Sequence, residues 1–228
     1  MDRLALFDID CTLIDAHGAG GRAIRRALEV VYGRWEQADG YTYHGRTDPQ
    51  IVRDLAAAGG VPPDEIDAGM DECLDAYVRC LRSEVAAGAV EVLPGVRQLL
   101  AALADDDRVV LGLLTGNIIG GAGVKLGPTG LAGYFRVGAY GSDSSHRPDL
   151  PEIALRRAAE LTGRRFAGKE VAVIGDSPAD VACGEKEGVK ALAVATGHHT
   201  RDELAACGPD YLFDDLSDWR AALAAILA

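Results

Sequence analysis

The sequence predicts a doubly wound α/β protein, a parallel sheet with helices on both faces, carrying an all-helical insertion after the first strand. Three observations predict it. Short apolar runs stand at residues 4–7, 109–114, 171–174 and 191–195, the signature of strands buried on both sides. Helical patterns lie between the later runs, the alternation that builds βαβ units with right-handed crossovers. The stretch from Asp15 to about Val92 breaks that rhythm and reads as helices alone. At 228 residues the chain suffices for one large domain or a core with a modest insertion.

Taken in order, "LALF" at 4–7 is the first strand and ends in Asp8 and Asp10, two like charges one residue apart. The Gly-rich "HGAGG" at 17–21 leads into the insertion. "AIRRALEVVYG" at 23–33 carries Ile24, Ala27, Leu28 and Val31 at helical spacing. "TDPQIVRDLAAAGG" at 47–60 has Thr47 or Asp48 as N-cap, Pro49 at the first helical position and Gly59 as a stop. "DEIDAGMDECLDAYVRCLRSEV" at 64–85 aligns Ile66, Met70, Cys73 or Leu74, Tyr77 and Leu81 on one face. "EVLPG" at 91–95 is the exit, so the expected division is a core of 1–14 and 92–228 and a helical cap of 15–91, with hinges at both crossings.

Beyond the exit, "GVRQLLAALADD" at 95–106 is a helix ahead of the second run, and "LPEIALRRAAELTG" at 150–163 is another ahead of the third. "ADVACGEKEG" at 179–188 separates the last two runs. Weaker strand candidates lie at 135–140 and 210–213.

Composition excludes several classes. A 48% hydrophobic, 25% charged chain is that of a folded soluble protein. Its net charge of −12, with no basic run, argues against nucleic acid. No apolar stretch reaches membrane-span length and no signal pattern opens the chain, so the reading is a cytoplasmic protein with no membrane partner. The five cysteines share no metal-site spacing and read as reduced thiols. Cys11 lies between Asp10 and Thr12, where neighbouring carboxylates oppose a thiolate.

The polar residues after the strands carry the chemistry. Asp8, Asp10 and Thr12 follow the first run, Thr115-Gly116-Asn117 the second, and Gly175-Asp176, with Asp180 four residues on, the third. In a parallel sheet these ends share one edge, where open α/β sheets bind ligands. Asp8, Asp10 and Asp176 are hard oxygen ligands suited to Mg²⁺, which would offset their repulsion. A carboxylate can attack phosphorus, and a second one two residues on can protonate the leaving oxygen, provided its surroundings raise its pKa. Thr115, Asn117 and backbone N–H groups would hold the phosphoryl oxygens. Each motif is weak alone; their order at successive strand ends is what is specific.

With "DIDCTL", "LLTGN" and "VIGDSPAD" in that order, the chain resembles the haloacid dehalogenase-like hydrolase superfamily, in particular its phosphoglycolate phosphatase-like members with a helical cap. The resemblance implies that Asp8 is the nucleophile and Asp10 the general acid/base. It implies that Thr115, Gly116 and Asn117 bind phosphate, and that Mg²⁺ is held by Asp8, the Asp10 carbonyl and Asp176, with Asp180 as ligand or support. Aspartate at position 10 favours a phosphatase over a dehalogenase, because an alkyl halide has no oxygen leaving group to protonate.

One departure stands out. The family's third motif is usually a lysine, often followed by proline, and here the stretch reads "SDSSHRPDLPEIAL", giving Arg147-Pro148. Of the four lysines, Lys169 and Lys190 start strands at the wrong edge, Lys186 ends a helix, and Lys125, ten residues beyond Thr115, is expected to be carried away from the edge. Arg147 is therefore the candidate cation, with a solvated loop charge as the alternative. Arginine keeps the charge but is longer and planar.

In the insertion, "HGRTDPQI" at 44–51 places Arg46 ahead of a helix, where it would suit a second anionic group of the substrate. An ordinary helix entry is the alternative. His198-His199 read as a loop before a helix capped by Thr200, with side chains pointing apart, and His17 as a hinge residue. The expectation is a Mg²⁺-dependent phosphomonoesterase of a small phosphorylated metabolite, working through an aspartyl-phosphate. A β-phosphoglucomutase-like phosphotransferase and a non-catalytic protein of this fold are the alternatives.

Overall fold

The computed structural model describes residues 2–186 and 188–228, the side chains of 184–186 excepted. The chain opens with β1 (Arg3–Phe7) and β2 (Ile14–Asp15), followed by α1 (Ala19–Tyr32), α2 (Asp48–Ala58) and α3 (Pro63–Ala87). β3 (Glu91–Val92), α4 (Val96–Ala104), β4 (Val109–Leu114), α5 (Ile119–Leu126) and β5 (Val137–Ala139) come next. The remainder is α6 (Leu150–Thr162), β6 (Val171–Gly175), α7 (Pro178–Lys186), β7 (Lys190–Val194), α8 (Arg201–Ala206), β8 (Tyr211–Phe213) and α9 (Trp219–Leu227).

Six strands form one parallel sheet in the order β5-β4-β1-β6-β7-β8, which is the doubly wound arrangement. β1 lies between β4 and β6, and the register sets Phe7 beside Leu113 and Ile174. The residues just beyond that level are Asp8, Thr115 and Asp176, so strand pairing alone brings the three to one edge. Period-two alternation divides the apolar side chains between the faces. Ala5, Phe7, Leu111 and Ile174 pack with Leu99 and Leu103 of α4 and Ile226 of α9. Leu4, Leu6, Leu114 and Val173 pack against Leu150, Ala154 and Ala158 of α6.

The helices between β2 and β3 have an apolar core of their own, in which Ile24 and Leu28 of α1, Leu55 of α2 and Tyr77 and Leu81 of α3 are buried. β2 and β3 pair antiparallel, Ile14 beside Val92, so the chain leaves and re-enters the sheet unit through one short ribbon. His17 sits at this crossing in the left-handed region (φ 48°), its ring 3.2 Å from Asp15 and 3.8 Å from Glu91.

α5 and α9 are absent from the sequence reading. Gly120, Gly121 and Gly123 give α5 poor intrinsic propensity, and packing on the insertion's α3 decides its conformation. Among the described residues no helix is long and apolar enough to cross a membrane.

Candidate active site

A cavity of about 390 Å³ lies between the C-terminal edge of the sheet and the helical insertion. Asp8, Asp10, Thr115, Asn117, Arg147 and Asp176 line it from the sheet side. The loop after β1 turns sharply: Leu13 and Ile14 both donate their N–H to the Ile9 carbonyl, and Cys11 adopts a left-handed conformation (φ 56°). Cys11 also lines the cavity, but burial, then the carboxylates around it, push its thiol up to about 12.

On one side of the cavity Asp8, Asp176 and Asp180 each offer a carboxylate oxygen within 4.8 Å of the others. All three are buried, and so is Arg147, whose Nη2 lies 3.5 Å from Asp8 Oδ2 and also donates to Asp180 Oδ1. The second oxygen of Asp180 accepts from the Ser177 N–H at 3.0 Å and the Ser177 hydroxyl at 2.6 Å. Thr12 donates to Asp176 at 3.3 Å. One guanidinium does not balance this cluster. Burial raises the Asp8 carboxyl to about 6 against the pull of Arg147, with Asp180 and Asp10 adding to the rise. Burial, then Asp180 and Asp8, push Asp176 well above the usual carboxylate range. Buried, mutually repelling hard oxygens are a donor set that fits a divalent cation.

Opposite lies a second network. Asp10 Oδ2 accepts from Asn117 Nδ2 at 2.8 Å and from Lys125 Nζ at 2.6 Å. Lys125 also donates to Asn117 Oδ1 at 2.6 Å, and Asn117 Nδ2 reaches Thr115 Oγ1 at 2.9 Å. The Thr115 hydroxyl thus accepts from Asn117 and keeps its own proton to donate. Two expectations are corrected here. Lys125 is not carried away from the edge: it is buried and lines the cavity. A helical side chain points back toward the helix N-terminus, and from the last turn of α5 the ammonium reaches past Gly121 to Asn117. Nor is the Asp10 carboxyl raised. Burial pushes it up, but Lys125 and the bond from Asn117 outweigh burial and hold it below its ordinary value. The raised carboxyls around the cavity are Asp8, Asp176 and Asp48, each pushed up first by burial.

Of the other lysines, Lys169 pairs with Asp210 at 2.6 Å and Lys190 donates to the Ala225 carbonyl at 2.7 Å, both at the far edge of the sheet. The Lys186 side chain lies outside the described residues.

The insertion closes the other wall. Thr47, not Asp48, is the N-cap of α2: its hydroxyl accepts from the Gln50 N–H at 3.3 Å and donates to the Ser145 carbonyl at 2.8 Å. The Asp48 N–H donates to the Gly116 carbonyl at 2.8 Å, and Asp48 Oδ2 accepts from the Ile118 N–H at 2.9 Å. Gly116 has no room for a side chain, since a Cβ there would lie 2.0 Å from the Arg46 carbonyl. Burial raises the Asp48 carboxyl to about 6, Lys125 opposing.

Arg46 lines the cavity, but its guanidinium is engaged within the insertion, 3.2 Å from Asp54 and over the Tyr41 ring at 4.9 Å. His44 of the insertion stacks on His198 of the loop after β7, centroids 3.8 Å apart, across the cavity mouth. Nothing in the sequence signals this pair. His199 points away into a neighbouring pocket of about 500 Å³.

Residues 5–194 match the model of the haloacid dehalogenase-like hydrolases. A probable phosphatase IndB of Dickeya dadantii is 26% identical over 229 residues, spanning 100% of this chain and 96% of that protein. A phosphoglycolate phosphatase of Rhodospirillum rubrum is 28% identical over 225 residues, 96% of this chain and 91% of that one. Among solved structures, a variant of CbbY from Rhodobacter sphaeroides in complex with xylulose-(1,5)bisphosphate superposes with a TM-score of 0.75 at 21% identity, covering 96% of each chain.

Proposed function

The chain belongs to the haloacid dehalogenase-like hydrolase family, and from that premise we propose that it is a phosphatase, a Mg²⁺-dependent phosphomonoesterase of a small phosphorylated metabolite. Residues 15–91 act as its cap. The observation that carries this reading is the pairing of two opposed sets in one cavity: Asp8, Asp176 and Asp180 around Arg147, and Asp10 held by Asn117 and Lys125. The phosphatase names of the full-length relatives support it.

Asp8, Asp176 and the backbone carbonyl of Asp10 would hold the cation, with Asp180 supporting the site through Arg147 and Ser177. When bound, Mg²⁺ supplies neutralising charge to the phosphoryl oxygens and the carboxylates. Asp8 attacks phosphorus as the ester P–O bond breaks, and the departing oxygen takes its proton from the protonated form of Asp10, a form that the lowered carboxyl makes scarce before substrate binds. Asp10, now a carboxylate, takes a proton from water, whose oxygen attacks the phosphorus and frees Asp8. Arg147 and the Thr115 hydroxyl orient and stabilise the transferring group, while both Asn117 side-chain N–H groups are engaged by Asp10 and Thr115. The lowered Asp10 carboxyl suits the second half of this cycle, in which it acts as the base.

Phosphate release from a panel of small phosphomonoesters, with Mg²⁺ or with EDTA, tests the reading. Mg²⁺-dependent release that vanishes in Asp8→Asn is expected. No release from any member, or isomerisation of a sugar phosphate without free phosphate, would overturn it.

A further inference from the structure

The buried ammonium of Lys125 has no part in the reaction as written above, yet it is built into the site with care. Its Nζ lies 2.6 Å from both Asp10 Oδ2 and Asn117 Oδ1. Asn117 Nδ2 reaches the same Asp10 oxygen at 2.8 Å. Two donors therefore converge on Oδ2, while Oδ1 accepts no hydrogen bond among the described residues. A carboxylate oxygen that accepts from an ammonium and an amide is not the one that carries a proton. The proton Asp10 gives up or takes then resides on Oδ1.

The surroundings are shaped for Lys125. At Gly20 of α1 a Cβ would lie 3.2 Å from the Lys125 Nζ, and at Gly121, one helical turn before Lys125, a Cβ would lie 3.2 Å from the Tyr77 ring. Asp48 and Tyr77 of the insertion flank the same space. The ammonium is enclosed from both the sheet side and the insertion side.

We infer that Lys125 is a positioning residue for the hydrolytic half-reaction: with Asn117 it fixes the Asp10 carboxylate so that Oδ1 alone faces the attacking water. The inference rests on the phosphatase reading. In that half-reaction the water O–H bond breaks and its proton goes to Asp10 Oδ1. The water oxygen bonds to phosphorus, and the P–O bond to Asp8 breaks, leaving Asp8 as a carboxylate. Phosphorylation of Asp8 by an aryl phosphate does not draw on Asp10, because a nitrophenolate leaves unprotonated. Lys125 therefore acts on one half-reaction and not on the other.

Stopped-flow kinetics with p-nitrophenyl phosphate and Mg²⁺ read the halves separately. In Lys125→Met the rate of the first nitrophenol turnover stays within about 3-fold of wild type, while the steady-state rate that follows falls about 100-fold. Lys125→Arg, which keeps a donor near Oδ2, retains a steady-state rate well above that of Lys125→Met. Should Lys125→Met fail to fold, Lys125→Gln, uncharged and of similar reach, carries the same expectation. Equal losses in both phases, or no loss in a variant that melts like wild type, would overturn the inference and leave the phosphatase reading intact. Wild-type protein that releases no nitrophenol, or releases it without Asp8, would overturn both.

Discussion

Nη2 of Arg147 stands 3.5 Å from Oδ2 of Asp8 and reaches Asp180 with the same atom, all three side chains buried. Arg147, buried and paired, is thus no solvated loop charge. Its guanidinium is the counter-charge between the proposed nucleophile and the carboxylate behind it. In Arg147→Ala two buried carboxylates lose that partner, which costs about 3–5 kcal/mol of stability. Turnover falls by about 100-fold or more. Urea unfolding alongside steady-state kinetics checks both, and an Arg147→Ala protein within a few-fold of wild-type turnover contradicts the assignment.

Asp48 gives a pH signature separate from the proposed metal ligands. Its folded carboxyl titrates at about 6 because it is buried, against about 3.9 in an unfolded chain. The folded state therefore binds this proton more tightly, and the stability it contributes is fully present below about pH 4 and lost as pH rises through about 6. Asp48→Asn lacks that loss and can still accept from the Ile118 N–H. Relative to wild type, its unfolding free energy rises by up to about 3 kcal/mol between pH 4 and pH 7. A difference that stays flat with pH contradicts the burial of Asp48 as a charge.

Asp176 sits among like charges, its carboxyl pushed well up by burial, then Asp180 and Asp8. In EDTA at pH 7, Asp176→Asn is expected to melt above wild type, since a buried repulsion is gone. With Mg²⁺ the order reverses: wild type gains stability as RT ln(1 + [L]/Kd), about 2.7 kcal/mol at a hundredfold excess over Kd, and the variant gains far less. Thermal melts across a Mg²⁺ titration check this, and equal Mg²⁺ shifts in the two proteins count against Asp176 as a ligand.

Arg46 is proposed to read the part of the substrate beyond its phosphate, although Asp54 already shares its charge at 3.2 Å. Arg46→Ala should raise KM for substrates with a second anionic group more than for p-nitrophenyl phosphate, with kcat little changed. Equal effects on both substrate types would assign Arg46 to the insertion's own packing alone.

How far the sequence could be read depended on whether a residue's place follows from strand pairing. Asp8, Thr115 and Asp176 were legible because apolar runs fix the strands and the parallel register fixes what stands at their ends. Arg147 was reached through the resemblance to the family's third motif and by setting the four lysines aside, although one of them, Lys125, proves to line the cavity too. Lys125 was not legible: counting along the chain places it a helix away, whereas its side chain runs back along α5 to Asn117. The Asp10 carboxyl was misjudged for the same reason, since its lowered value depends on that unseen ammonium. α5 itself was hidden by its glycines, of which Gly121 lets Tyr77 and Asp48 approach. The His44–His198 stack joins two loops that no periodicity relates.

The central claim is that Asp8 carries the phosphoryl group. Wild-type protein turning over p-nitrophenyl phosphate with Mg²⁺, quenched in acid and digested for mass spectrometry, tests it most directly. A phosphoryl adduct on Asp8, stable in acid, removed by hydroxylamine and missing from Asp8→Asn, is the predicted result. Turnover that continues in Asp8→Asn, or an adduct on any other residue, would contradict it.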